Sequence, residues 1–213
     1  MSYKYNMDKF YVSYVERMKK VAVEDWIRLL QSASRVYPDW RYFYETAVVF
    51  EKFNKINETE TEVQKALIEI EKKDTESKFE ANFKKGLCYM LLAKIRLAQK
   101  KIDESINYWK KASENLPFES SIYTGMALSL LESGKKEEAI MSLAQCYLCN
   151  PDEVEAIYLM SKIYLDMGNK DAALKVLQFS HVKFPFGRLE ILKRFPEAAA
   201  FSENEWFKSL NEW

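Results

Sequence analysis

A 34-residue spacing recurs in the second half of the sequence. Four pairs of identical residues are separated by this interval: Gly134 and Gly168, Ala139 and Ala173, Leu143 and Leu177, and Pro151 and Pro185. Pro117 extends the proline series by one more step toward the N-terminus. A fixed period of this size is typical of chains built from stacked structural units. It constrains the fold more than any other feature of the sequence.

The composition favours helices over strands. The 213 residues include only five glycines and five prolines, fewer than strands joined by tight turns would use. Hydrophobic residues make up 48% and charged residues 30%, a balance typical of folded proteins. The length is sufficient for a short solenoid with a continuous core. We therefore expect an all-α fold.

The period predicts three units without gaps, at 86–119, 120–153 and 154–187. Each unit is predicted to form a helix, a short turn and a second helix. In the last unit, Ile157, Met160, Ser161 and Tyr164 lie on one face of the first helix. A turn glycine then suits the left-handed conformation that ends many helices. Small residues at matching positions of the paired helices predict that each pair packs closely: Ala127 and Ser161 in first helices, Ala139 and Ala173 in second helices.

The pattern in these units resembles the tetratricopeptide repeat, whose 34-residue signature combines aromatic, Leu, small and Tyr positions with later Ala, Phe, Ala and Pro positions. The match is good in 120–153 and 154–187. It is weaker in 86–119, where Arg96 replaces an aromatic residue, Ser105 an alanine and Lys100 the turn glycine. The resemblance implies an all-α, right-handed superhelical solenoid of about five helical hairpins with a C-terminal capping helix.

The remaining regions resemble the repeat less closely. Residues 1–85 are predicted to form degenerate hairpins, with Phe10 and Tyr14 on a first helix and a polar loop at Asn54–Thr61. Residues 188–213 form a tail in which Trp206, Leu210 and Trp213 follow helical spacing. Because a solenoid end must cover an apolar face, we expect this tail to act as a cap. The alternatives are that the tail binds a partner or folds into the chain's own groove as an inhibitor.

The resemblance also implies a partner site, because first helices of tetratricopeptide repeats line a concave groove. The positions that contact partners in this family correspond here to nine candidates: Met90, Lys94, Leu97, Thr124, Leu128, Leu131, Tyr158, Lys162 and Leu165. The row of Leu97, Leu131 and Leu165 suggests a groove for a hydrophobic or amphipathic segment. The alternative is that these leucines flank the core and pack within their own hairpins.

Signals for chemistry are weak, and we predict no catalytic, cofactor-binding or metal site. Cys146 and Cys149 form a C-x-x-C pair on a predicted helix, and only Cys88 and His181 could complete a zinc site. Packing is the favoured role, because free cysteine behaves as a small buried hydrophobe. Catalysis by histidine would depend on His181 alone, and phosphate-binding glycine motifs are missing.

Charge and sequence ends guide the expected partners and location. Lys plus Arg and Asp plus Glu both count 32, and the signs are mixed, so nucleic acid is not expected as a partner. Neither a secretory signal nor a membrane-spanning run is apparent. Three cysteines suit a reducing compartment, and a cytoplasmic location is the expectation.

These observations predict a non-enzymatic adaptor, scaffold or assembly factor that binds a protein partner. The partner would bind in the groove or on the N-terminal region, where residues 1–53 are rich in aromatic side chains. Two alternatives remain open. The first is a dedicated chaperone for a secreted or membrane-bound client, and the second is a regulatory subunit of an enzyme complex.

Overall fold

The computed structural model describes residues 23–72 and 77–210, and every regular element in these ranges is a helix. The α-helices are α1 Val23–Val36, α2 Trp40–Lys52, α3 Ile56–Lys72, α4 Lys78–Ala98, α5 Ile102–Asn115, α6 Ser120–Glu132, α7 Lys136–Cys149, α8 Val154–Asp166, α9 Lys170–Lys183, α10 Arg188–Arg194 and α11 Glu205–Ser209, with a 3-10 helix at Pro196–Phe201. The all-α prediction is confirmed. Across these ranges, none of the helices combines the length and the apolar character needed to span a bilayer. Phe10, Tyr14 and Trp213 lie outside the described residues.

The chain divides into two compact units between Gln99 and Lys100. In the first unit, α2 packs against both α1 and α3, and α3 packs against α4. Trp26, Leu30 and Val49 form one cluster of its core, and Trp40 and Phe50 are also buried. Part of the aromatic excess near the N-terminus therefore serves packing within this unit.

The second unit contains two helical hairpins, α6 with α7 and α8 with α9. Ala127, Ala139 and Ala173 are fully buried. The Ser161 hydroxyl donates a hydrogen bond of 2.9 Å to the carbonyl oxygen of Ala173, which joins the two helices of the later hairpin. Short side chains thus permit the close packing that the sequence predicts.

The turns of the second unit share one backbone conformation. Gly134 has φ +78° and Gly168 has φ +76°. Lys100, one period earlier, has φ +60° although it carries a side chain. The left-handed region is unfavourable for most residues with a Cβ atom. The turn geometry is therefore retained where the glycine is replaced.

One predicted loop in the first unit needs correction, and one helix begins before the repeat unit that contains it. The polar loop expected at Asn54–Thr61 is mostly helical, because α3 begins at Ile56 and Thr59 is buried within it. The Thr59 hydroxyl donates to the carbonyl oxygen of Lys55 at 2.8 Å, so it is satisfied inside the helix. Helix α4 begins eight residues before position 86, because the Ser77 hydroxyl caps it by accepting from the backbone N–H of Glu80.

Candidate partner-binding face

The nine predicted contact residues lie on α4, α6 and α8, and their exposure differs. On α4, Lys94 is exposed, whereas Met90 and Leu97 are half-buried. This helix belongs to the first unit. Helices α6 and α8 belong to the second unit, where they carry equivalent positions of adjacent hairpins.

The face of α6 is open. Leu128 is 44% exposed near the middle of the helix. One turn earlier, Thr124 is half-buried, and its hydroxyl donates to a carboxylate oxygen of Glu153 at 3.3 Å. The Cys146 sulfur lies 3.1 Å from the same hydroxyl. Helix α6 therefore presents an apolar side chain to solvent beside a polar group with fixed partners.

The C-terminal tail covers part of the α8 face: it buries Tyr158 but leaves Lys162 exposed. Tyr158 is only 5% exposed, and its ring stacks on that of Phe195 with centroids 5.6 Å apart. Burial raises the pKa of Tyr158 to about 12. Lys162 donates a hydrogen bond of 2.5 Å to Glu197. The hydrogen bond from Lys162 lowers the pKa of Glu197.

The tail reaches this face because its first helix is short. Helix α10 begins at Arg188, one 34-residue period after Val154, where a further first helix would begin. It ends after seven residues, and Pro196 opens a 3-10 helix. Phe201 and Phe207 are then fully buried against the core of the second unit. A proline at the first position of the new helix is favourable there but incompatible with continuing α10.

The predicted row of leucines is partly embedded in the core. Leu131 packs against the cluster that includes Leu130 and Leu143. Leu165 packs against the cluster that includes Leu177. The most exposed apolar candidate is Leu128, one turn before Leu131. Leu128 is one of the nine predicted contacts, and a binding role for the leucine row stays a prediction.

The cysteines and the histidine occupy packing positions. Cys88 and Cys146 are buried, and burial raises the pKa of Cys88 to about 12 and that of Cys146 to about 11. Both are therefore thiols at neutral pH rather than the thiolates that bind metals or attack substrates. The His181 ring packs edge-on against Trp206 at 5.5 Å. Within residues 23–72 and 77–210, no three potential metal ligands come together.

Hairpins of this kind, packed side by side, define a helical repeat protein. A model of the tetratricopeptide repeat matches residues 154–178, which cover most of the hairpin α8–α9. A search of curated protein sequences finds no significant match.

Solved structures share this fold at low sequence identity. A crystal structure of MamA is 16% identical with a TM-score of 0.60, over 75% of this chain and 90% of that one. MamA 41-end from Desulfovibrio magneticus RS-1 is 15% identical with a TM-score of 0.60, over 81% and 92%. YrrB, a TPR protein with an unusual peptide-binding site, is 17% identical with a TM-score of 0.58, over 82% and 81%. The chain therefore has the fold of a tetratricopeptide-repeat solenoid, and residues 154–178 match the sequence model of that repeat.

Proposed function

We propose that this protein is a non-enzymatic adaptor, scaffold or assembly factor that holds a segment of a partner protein against the face of α6. The observation that carries the proposal is the exposure of the apolar Leu128, whose equivalent on α8 is the charged Lys162, paired with Glu197 of the tail. An exposed leucine by itself is common. Here it lies at a position where tetratricopeptide repeats bind their partners, which supports a contact role.

The chemistry of this face favours an extended segment with a hydrophobic side chain. Leu128 offers an apolar contact, and the half-buried Leu131 continues it along the helix. At the end of α6, Glu132 pairs with Lys100 at 3.1 Å, so a charged pair borders the apolar contact. A hydrophobic or amphipathic segment matches this combination. The peptide-binding site of the structural neighbour YrrB adds support for a peptide ligand.

The proposal is tested by selecting peptides on the full chain from a random displayed library. The affinity of a selected peptide is then measured for the wild type and for Leu128→Lys. Because Leu128 is surface-exposed, the substitution should change the free energy of unfolding by no more than about 0.5 kcal/mol. Peptide binding should weaken by about 1–3 kcal/mol if Leu128 is a buried contact in the complex.

A matched control is Phe79→Lys, which removes an exposed apolar residue from α4 in the other unit. This variant should bind the peptide as the wild type does. If Leu128→Lys binds normally and Phe79→Lys does not, the proposed face is wrong.

A further inference from the structure

The second helix of the hairpin α6–α7 carries a second apolar surface, distinct from the face of α6. On α7, Met141 is 73% exposed and Leu148 is 72% exposed. Ala144 is exposed between them. Positions 141, 144 and 148 follow the i, i+3, i+7 spacing of one helix face. We call these three residues the α7 stripe.

Neighbouring side chains widen the α7 stripe. The ring of Tyr147 packs edge-on against that of Phe179 on α9, with centroids 5.8 Å apart. Phe179 is itself 58% exposed, and Val182, one turn later, is also exposed. On the other side, the Cys149 thiol donates to the carbonyl oxygen of Pro117 at 3.5 Å. This contact brings the loop with the exposed Phe118 to the end of α7.

The open area approaches that of a protein interface. At about 150–250 Å² for a fully exposed large side chain, the exposed fractions of Met141, Leu148 and their three large neighbours correspond to roughly 550–950 Å². A standard interface buries about 800 Å² on each partner. Patches of several hundred Å² on a soluble protein commonly mark interaction sites.

The arrangement along α7 fits a second copy of the same helix. The large residues Met141 and Leu148 lie about one helical turn before and one turn after the small Ala144. If two α7 helices pack antiparallel, Met141 of one copy meets Leu148 of the other, and the two Ala144 residues lie near the two-fold axis. An interface of this type uses the same patch on both subunits and requires such self-complementarity. The small central residue lets the two helices approach closely.

Charges at the two ends of α7 agree with the antiparallel packing. Glu137 and Glu138 are exposed in the first turn. Near the other end, Lys183 lies 2.8 Å from Asp152 in the turn after α7. Antiparallel packing keeps the two acidic turns apart, and the Lys183–Asp152 pair places no unpaired acidic group of its own against them. We propose that the α7 stripe forms the interface of a symmetric dimer of this chain.

The dimer is tested with the full chain by sedimentation equilibrium over a range of concentrations. We expect a monomer–dimer equilibrium whose Kd rises at least about 100-fold in the double variant Met141→Glu/Leu148→Glu, because two glutamates then replace the Met141–Leu148 contact at each end. The control is Phe79→Glu, which removes an exposed apolar residue of the other unit and should leave the Kd within about threefold of the wild type.

Cysteine cross-linking tests the register separately, in a Cys149→Ser background whose remaining native cysteines are buried. Ala144→Cys should form a disulfide between copies, because the two positions face each other across the axis. Glu137→Cys should not, because antiparallel packing separates the two copies of this residue by about 20 Å. A wild type that stays monomeric, or whose stripe binds only another protein, overturns the proposal. A dimer unaffected by the double variant, or one cross-linked through Glu137→Cys but not through Ala144→Cys, also overturns it.

Discussion

Helices α6 and α8 occupy equivalent positions in adjacent hairpins, yet the α6 face is open and the α8 face is partly covered by the tail. Leu128 of α6 is exposed, whereas Tyr158 of α8 is buried under Phe195. Lys162, at the position equivalent to Leu128, is also exposed, but it pairs with Glu197 of the tail. Equivalent repeat positions therefore do not have equivalent access to a partner. The segment after the last hairpin decides which face remains free.

The largest expected effect concerns the residue that covers α8. Phe195→Ala should lower the free energy of unfolding by about 3–5 kcal/mol, because it removes a buried aromatic side chain and leaves a cavity above Tyr158. Denaturant unfolding followed by circular dichroism measures the loss. Phe79→Ala, at an exposed position, is the control and should change stability little. A small loss at Phe195 would mean that the tail lies only loosely on α8.

A glycine on α6 lets the Trp109 ring of α5 approach this helix closely. A Cβ atom at Gly125 would lie 2.2 Å from the Trp109 ring on α5. The ring is held in place by a hydrogen bond of 3.1 Å from its Nε1 to the Ser129 hydroxyl. Gly125→Ala should therefore destabilise the protein by about 1–3 kcal/mol, although alanine favours helices.

A double-mutant cycle identifies the cause of this effect. When Trp109 is replaced by Leu, the further change Gly125→Ala should cost much less than it does in the wild type. Equal costs in the two backgrounds would show that contact with Trp109 is not the reason for the glycine.

Leu131 and Leu128 lie on the same helix but differ in burial, so the same substitution should affect stability differently at the two positions. Leu131→Lys should cost about 1–2 kcal/mol of stability, because this half-buried side chain packs against the core cluster. The same change at Leu128 should stay within about 0.5 kcal/mol. Thermal unfolding of the two variants measures the difference. Equal and small losses would indicate that Leu131 also lies on an open surface.

The sequence predicted the hairpins of the second unit because their determinants are local. Turn glycines, small residues and helical spacing recur at fixed intervals, so Gly134, Gly168 and Ser161 could be placed on the correct elements. The covering of Tyr158 could not be predicted in this way, because it depends on Pro196 ending α10 and on where Phe195 then packs. The hydrogen-bonded pair of Arg96 and Glu60 could not be predicted either, because the two residues are 36 positions apart and the repeat spacing does not indicate that they meet.

The smallest expected effect concerns the ion pair that borders the covered face. Because Lys162 lowers the pKa of Glu197 in the folded state, the pair stabilises the protein above the ordinary Glu pKa of about 4.3. The contribution is lost as the pH falls through the lowered value. Glu197→Gln should therefore cost less than about 1 kcal/mol at pH 7, since both side chains are partly exposed. Urea unfolding should show that the wild type and the variant converge in acid; a constant difference would contradict this cause.

The most direct test of the open and covered faces is site-specific photo-cross-linking to a peptide selected on the full chain. A photoreactive amino acid is introduced at Leu128 in one variant and at Lys162 in another, and both variants are checked for unchanged helicity. We expect efficient cross-linking of the peptide at position 128 and little at position 162, which borders the tail and pairs with Glu197. Cross-linking at position 162 without any at position 128 would contradict the assignment of the partner site to α6.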